Sequence, residues 1–234
     1  MDEAAKTNRL RSEEFKCRYF SGRVIDIGCG PDLVVPHAVP FDLAQGDAQR
    51  ILDYFAPQSF DCVHSSHCLE HMRDVAAALA QWWALVKPGG FLVLVVPHEE
   101  LYEQGAWPSI FNADHKATFN LGKRNAASAV SYDIAALVAG LPDARIIDAC
   151  VQDHGLDYSL LRNAAGLRRR FFELASYRRW LFRQLMAKGL PLYRADLVME
   201  RLERRLGKPF DQTLGDALAQ IQVVATRAEG GAKT

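Results

Sequence analysis

The sequence predicts an α/β fold, a doubly wound domain with a Rossmann-like sheet, and three observations carry that expectation. Between residues 23 and 151, short β-branched runs alternate with helical stretches, the pattern of parallel strands joined by crossovers. One run, Phe91-Leu92-Val93-Leu94-Val95-Val96, has no polar residue on either face, as a strand in the middle of a sheet covered on both sides requires. Gly28-Cys29-Gly30 follows the first run directly, a glycine turn at the carboxyl end of a strand, where such sheets bind ligands.

Taken in order, residues 9–20 are helical and stop before Gly22. Arg23 to Ile27 is the first strand, and Val39-Pro40-Phe41, ending at Asp42, is a weak second one. Phe60 to His64 is another strand, followed by a helix over about 73–86. Lys87-Pro88-Gly89-Gly90 stops that helix, since Pro and paired Gly leave it no continuation. Residues 97–130 are rich in Pro, Asn, His and aromatics without a period, the mark of a lid or substrate loop. Residues 131–140 return to helix and 144–151 to strand. Leu160, Ala164, Leu167, Phe171, Leu174, Leu181 and Leu185 then repeat at three- and four-residue spacing, an amphipathic helix, with a second helix at about 194–206. Ala219 to Ala225 alternates like a strand at a sheet edge, and 229–234 are expected to fray.

The 234 residues, 49% hydrophobic and 24% charged, suffice for one sizeable core and exclude wholesale disorder and fibrous repeats. A single domain over 1–234 is expected. No run is long enough to cross a bilayer, and the first residues lack the apolar stretch of a secretory signal. Five cysteines without a C-x-x-C pair argue against a disulfide framework and for a reducing, cytoplasmic compartment. The 28 basic and 28 acidic residues balance, yet residues 160–208 hold thirteen basic against four acidic ones, a net of +9. That face either meets an anionic partner or is a solvated helix surface pairing with the acidic body; the second reading is weighted higher.

The most informative segment is Asp26-Ile27-Gly28-Cys29-Gly30-Pro31-Asp32. A dinucleotide fingerprint wants a third small residue three positions after the second glycine, but Leu33 follows Pro31 and Asp32 there. An acid two residues before the first glycine is unwelcome beside a pyrophosphate and suits a cation. Asp26 to Gly30 resembles motif I of the class I S-adenosylmethionine-dependent methyltransferases. The similarity continues through Phe41-Asp42, Gly46-Asp47-Ala48, Ser59 to Val63, Ser65-Ser66-His67-Cys68-Leu69-Glu70-His71 and Leu85 to Gly90. The version with Leu-Glu-His resembles the type 11 branch, whose members methylate small molecules. The resemblance implies a seven-stranded sheet with the last strand antiparallel, and makes 157–210 a helical insertion between strands 6 and 7.

It also implies roles. Gly28, Cys29 and Gly30 give S-adenosylmethionine close backbone approach, with Asp26 near its amino-acid end. Asp42, with Leu43 beside it, accepts from the ribose hydroxyls, Asp47 and Ala48 lie against adenine, and Ser65, Ser66 and His67 run beneath the methionine moiety. S-adenosylhomocysteine is the product. Asp42 follows Gly30 by only 12 positions, so either the first crossover helix is reduced to a turn or Asp42 is misassigned. Glu70 and His71 read as a cap or packing beneath the loop ahead of catalysis, Trp82-Trp83 as core, and Cys29 and Cys68 as small buried fillers.

The acceptor side is expected from the loop after the fifth strand. Pro108 to Lys116 resembles a stretch of methyltransferases encoded with O-antigen and exopolysaccharide enzymes, which implies a sugar or nucleotide-sugar hydroxyl as acceptor. Removing that proton calls for a base; His115, with Asp114 next to it, is the candidate pair. Glu99, Asp114 and His115 as a divalent-ion set is a weaker alternative, and no metal is expected. An N- or C-methyltransferase and a non-catalytic donor-binding scaffold stay open as alternatives. Nucleic acid is not expected as a partner, and residues 160–206 could pack on the domain, form a homodimer face or lie peripherally on a membrane.

Overall fold

The structure, a computed structural model, describes residues 3–122, 128–161 and 211–229 and parts of 181–198. The apolar runs become β1 (Val24–Ile27), β3 (Phe60–Ser66) and β4 (Val86–Pro97), which lie side by side in parallel, with β2 (Val39–Phe41) on the outer side of β1. Beyond β4 come β8 (Gln220–Arg227), antiparallel to both its neighbours, and β7 (Ala144–Gln152), so the order is β2-β1-β3-β4-β8-β7. This is the doubly wound sheet with an antiparallel last strand. Six strands stand in it among the described residues, because the stretch between β2 and β3 is spent on a turn and a 3-10 helix (Ala48–Asp53). β5 (Thr118–Asn120) and β6 (Ser131–Asp133) pair separately, in parallel, beside the end of β4.

Side chains alternate between two cores. One face carries Ile25, Ile27, Val63, Leu92, Leu94 and Val223 against α3 (Val75–Ala84) and α4 (Ile134–Ala139). The other carries Val24, Cys62, Val93 and Val224 against Tyr19 and Phe20 at the end of α2 (Glu13–Tyr19). Between β1 and β2 there is no helix, so the first crossover is indeed a turn, and Asp42 stands at the end of β2.

Several elements differ from expectation. The N-terminal helix is two: α1 (Glu3–Leu10) and α2 are broken at Arg11-Ser12, where the Ser12 hydroxyl accepts from Phe15 N–H at 3.1 Å and starts a new helix. α3 begins after its Asp74 cap, and the Pro-Gly-Gly after it is no free turn but a bulge within β4: Phe60 pairs Val86 while Cys62 pairs Phe91. β8 is not an edge strand. Its Gln220 and Gln222 point at α1 and the residue after it rather than at water: Gln220 donates to Thr7 Oγ1 and Gln152 Oε1, both at 2.7 Å, and Gln222 Oε1 accepts from Arg11 at 3.1 Å. A polar alternation marks solvent only when no polar partner covers it. The insertion at 157–210 and the surface at 160–206 fall largely outside the described residues. Among the described residues no helix is long and apolar enough to cross a membrane.

Candidate functional site

The carboxyl ends of β1, β2 and β3 open onto one cavity of about 500 Å³, within the size range of small-molecule sites. Gly28 turns the chain out of β1 at φ +74, and a Cβ there would lie 2.5 Å from that of Cys68, so only glycine fits between the two loops. Gly30, at φ +55, faces open space. Its N–H donates to Asp42 Oδ2 at 2.8 Å, and Leu43 N–H donates to Oδ1 at 2.7 Å, so the Asp42 carboxylate is held at the cavity wall with lone pairs to spare. Leu43 beside it is 92% exposed, an apolar rim with nothing over it. Asp47 caps the 3-10 helix through Gln49 N–H at 2.9 Å and meets Arg73 at 3.1 Å, and both it and Ala48 line the cavity. A carboxylate for a diol, an apolar shelf for a flat ring and a glycine cradle between two loops fit S-adenosylmethionine.

Gly28, Asp42, Leu43, Asp47, Ala48 and His67 are thus brought together. Asp26, Cys29, Gly30, Ser65 and Ser66 are not on the cavity wall, Gly30 reaching it only through its bond to Asp42. Asp26 is buried in β1, its Oδ1 2.6 Å from His64 Nδ1 and its Oδ2 accepting from Val34 N–H at 2.7 Å. Ser65 donates to Ile27 O at 2.9 Å, bracing β3 on β1. Ser66 is buried and its hydroxyl has no hydrogen-bond partner. Cys29 is buried, and burial followed by the Asp26 charge pushes its thiol up; burial does the same to Cys68, so neither is poised as a thiolate.

At the other end of the cavity the loop 98–117 folds over the segment after β3. Asp114 and Lys116 from this loop and His71 from a short 3-10 turn (Leu69–His71) share the wall. His115 is buried beneath them. Sequence neighbours do not pair here: Asp114 Oδ2 lies 2.9 Å from His71 Nδ1, while His115 Nδ1 lies 2.6 Å from Glu103 Oε1. The two rings are edge-on, with centroids 5.0 Å apart. Lys116, and to a lesser extent His71, hold the Asp114 carboxyl below its ordinary range. Glu70 is fully buried, its Oε1 4.0 Å from His115 Nε2. Burial pushes its carboxyl up, but His67, with Nδ1 3.5 Å away, then His115 and His71 outweigh that and leave it below its usual value. Glu99, buried in the same loop, is instead bonded to Ser131 and, at 3.5 Å, to Thr118.

Sequence reasoning passed over Glu103 and gave Glu70 and His71 a packing role. The spacing His67-x-x-Glu70-His71, three titratable side chains within five positions, was the available signal. For Glu103, twelve residues from His115 across an aperiodic loop, no local signal exists.

The sequence matches a family profile described as a methyltransferase domain over residues 4–184. No curated protein matches it. Among solved structures, a SAM-dependent methyltransferase from Archaeoglobus fulgidus is similar at TM-score 0.48 and 15% identity, with 95% of this chain and 93% of that one covered. The YcgJ protein from Bacillus subtilis is similar at TM-score 0.42 and 13% identity, covering 84% and 74%. A phosphoethanolamine N-methyltransferase 2 from Haemonchus contortus, in complex with phosphomonomethylethanolamine and S-adenosylhomocysteine, follows at TM-score 0.38 and 17% identity, covering 82% and 38%. Likeness at these levels concerns the fold alone; the family rests on the profile, which spans most of the chain. The chain belongs to the methyltransferase domain family and is a class I methyltransferase with S-adenosylmethionine as its methyl donor.

Proposed function

We propose that the acceptor is a hydroxyl of a small molecule, a sugar or nucleotide sugar used in polysaccharide assembly, and that the product is its methyl ether. The observation that carries this is the pair of carboxylate-held imidazoles, His71 with Asp114 on the cavity wall and His115 with Glu103 buried beneath it. A neutral amine would attack without such help, whereas a hydroxyl is a poor nucleophile until its proton is drawn away. When bound, S-adenosylmethionine supplies a methyl group already activated by a sulfonium. The chain's task is then to align the acceptor oxygen in line with that carbon and to keep water out. Asp42 fixes the donor's ribose, Gly28 and Gly30 let it lie against the backbone, and Leu43 shelves its base. Lys116, exposed on the same wall, suits an acceptor carrying phosphate. The acceptor O–H loses its proton toward the histidine end of the cavity, the oxygen pair forms the new O–CH3 bond, and the S–CH3 pair stays on sulfur.

The test is incubation with methyl-labelled S-adenosylmethionine and a panel of sugars and nucleotide sugars, read by mass spectrometry. Label on a sugar oxygen is expected. Turnover in His115→Ala should collapse while donor affinity holds, and Asp42→Ala should weaken donor affinity by about 10- to 100-fold, the worth of hydrogen bonds to a charged acceptor. Label appearing only on nitrogen or carbon of another acceptor class overturns the reading.

A further inference from the structure

We propose that Glu70, His71 and His115 bind a divalent first-row transition-metal ion at the acceptor end of the methyl-donor cavity. One ligating atom from each lies within 4.8 Å of the others, and His115 Nε2 stands 4.0 Å from Glu70 Oε1. Small side-chain rotations bring such atoms onto an ion with bonds of about 2.0–2.2 Å.

Three independent features select this cluster over an ordinary polar contact. Neither oxygen of Glu70 makes a hydrogen bond, the His67 Nδ1 standing 3.5 Å from Oε1, although the side chain is completely buried. An unsatisfied buried carboxylate is costly, and a cation is the partner that removes the cost. The Nδ1 atom of each histidine is engaged by a carboxylate, Asp114 for His71 and Glu103 for His115, which leaves Nε2 as each ring's second nitrogen. That is the outer-shell arrangement that orients metal-ligating histidines and raises their basicity. Finally, three protein ligands leave coordination positions open, and one of the three, His71, lines the cavity wall.

Two imidazoles and one carboxylate, with no thiolate among them, suit Zn²⁺, Fe²⁺, Co²⁺ or Mn²⁺ rather than Mg²⁺ or Ca²⁺, which prefer all-oxygen sets. The inference deepens the hydroxyl-acceptor reading and rests on it for its role. An ion here draws charge from the acceptor oxygen at this same histidine end, so in the loaded site the two imidazoles promote loss of the hydroxyl proton through the ion they hold, and the proton itself passes to water there. Glu103 and Asp114 act on the ion through the two histidines and are positioning residues.

The experiment uses the whole chain, stripped with chelator and titrated with Co²⁺ alone, without donor or acceptor. Saturable binding of one ion per chain is expected, with the visible absorption of nitrogen–oxygen ligation. Glu70→Gln and, separately, His71→Ala should abolish it, and Glu103→Gln should weaken it by about 10- to 100-fold. His71 is partly exposed, so its variant keeps the test sound if the buried Glu70 variant fails to fold; circular dichroism checks both. Absence of saturable Co²⁺ binding, or binding unchanged in His71→Ala, overturns the proposal. If Co²⁺ binds as expected but no hydroxyl accepts a methyl group, the acceptor reading fails and the site stands. If a sugar is methylated at full rate by chelated protein with no ion bound, the site's role fails and the acceptor reading stands.

Discussion

Asp26 shows how a motif residue is used up inside the fold. Its Oδ1 meets His64 Nδ1, and the other His64 nitrogen, Nε2, lies 3.3 Å from the Arg11 guanidinium. A guanidinium can only donate, so Nε2 accepts and the ring proton sits on Nδ1, facing the carboxylate. Burial, reinforced by Arg11 and opposed by Asp26, holds the His64 pKa below its ordinary value. The same burial draws Arg11 down to about 10. His64 therefore prefers to be neutral when folded and takes up a proton more readily when unfolded. Its stabilising contribution is complete above about pH 6.5 and is lost as pH falls from there toward the depressed folded value. Unfolding free energy measured in urea should drop by up to about 1.4 kcal/mol per pH unit in that window, and His64→Gln should flatten the slope. Asp26→Asn strands Arg11 without its counter-charge and should cost about 3–5 kcal/mol of stability. Donor affinity of the folded fraction should hold, since the carboxylate faces away from the cavity.

Among the elements, β8 does more than complete the sheet. Arg227 at its end donates to Val86 O at 2.8 Å and to Trp83 O at 2.9 Å, and its guanidinium lies 4.9 Å over the Trp83 ring. It thus caps the carboxyl end of α3, where backbone carbonyls lack helical partners and the helix dipole favours a cation. Arg227→Ala should lower the unfolding free energy by about 1–3 kcal/mol, seen as a lower denaturation midpoint with methyl-donor affinity unchanged. The loop 98–117 is ordered in a different way, by buried acids: Glu99 on Ser131 and Thr118, and Glu103 on His115. An aperiodic sequence can be held in place when each buried acid has a designated partner, and this is how this end of the cavity acquires a defined shape without a helix or strand.

For the molecule as a whole, the cavity proposed for the methyl donor is shared among the ends of three strands and two loops, so a ligand there binds the folded chain and not the unfolded one. S-adenosylhomocysteine at about one hundred times its Kd should add about 2.7 kcal/mol of stability, which raises Tm by roughly 5–10 °C at this chain length. No thermal shift with this product would contradict the site. The strands, the doubly wound layout and the glycine turn were legible in local sequence, because a run apolar on both faces and a glycine that must adopt positive φ are demands satisfied within a few residues. Asp42 was legible as an acid closing β2, though whether a turn or a helix preceded it needed the backbone to show. Three things were beyond local pattern: the interior place of β8, the retirement of Asp26 into a network with Arg11, and the exchange of partners that gives His71 to Asp114 and His115 to Glu103. Each depends on which side chain arrives opposite another after the chain has folded, and contacts across such sequence separations leave no period or spacing to read.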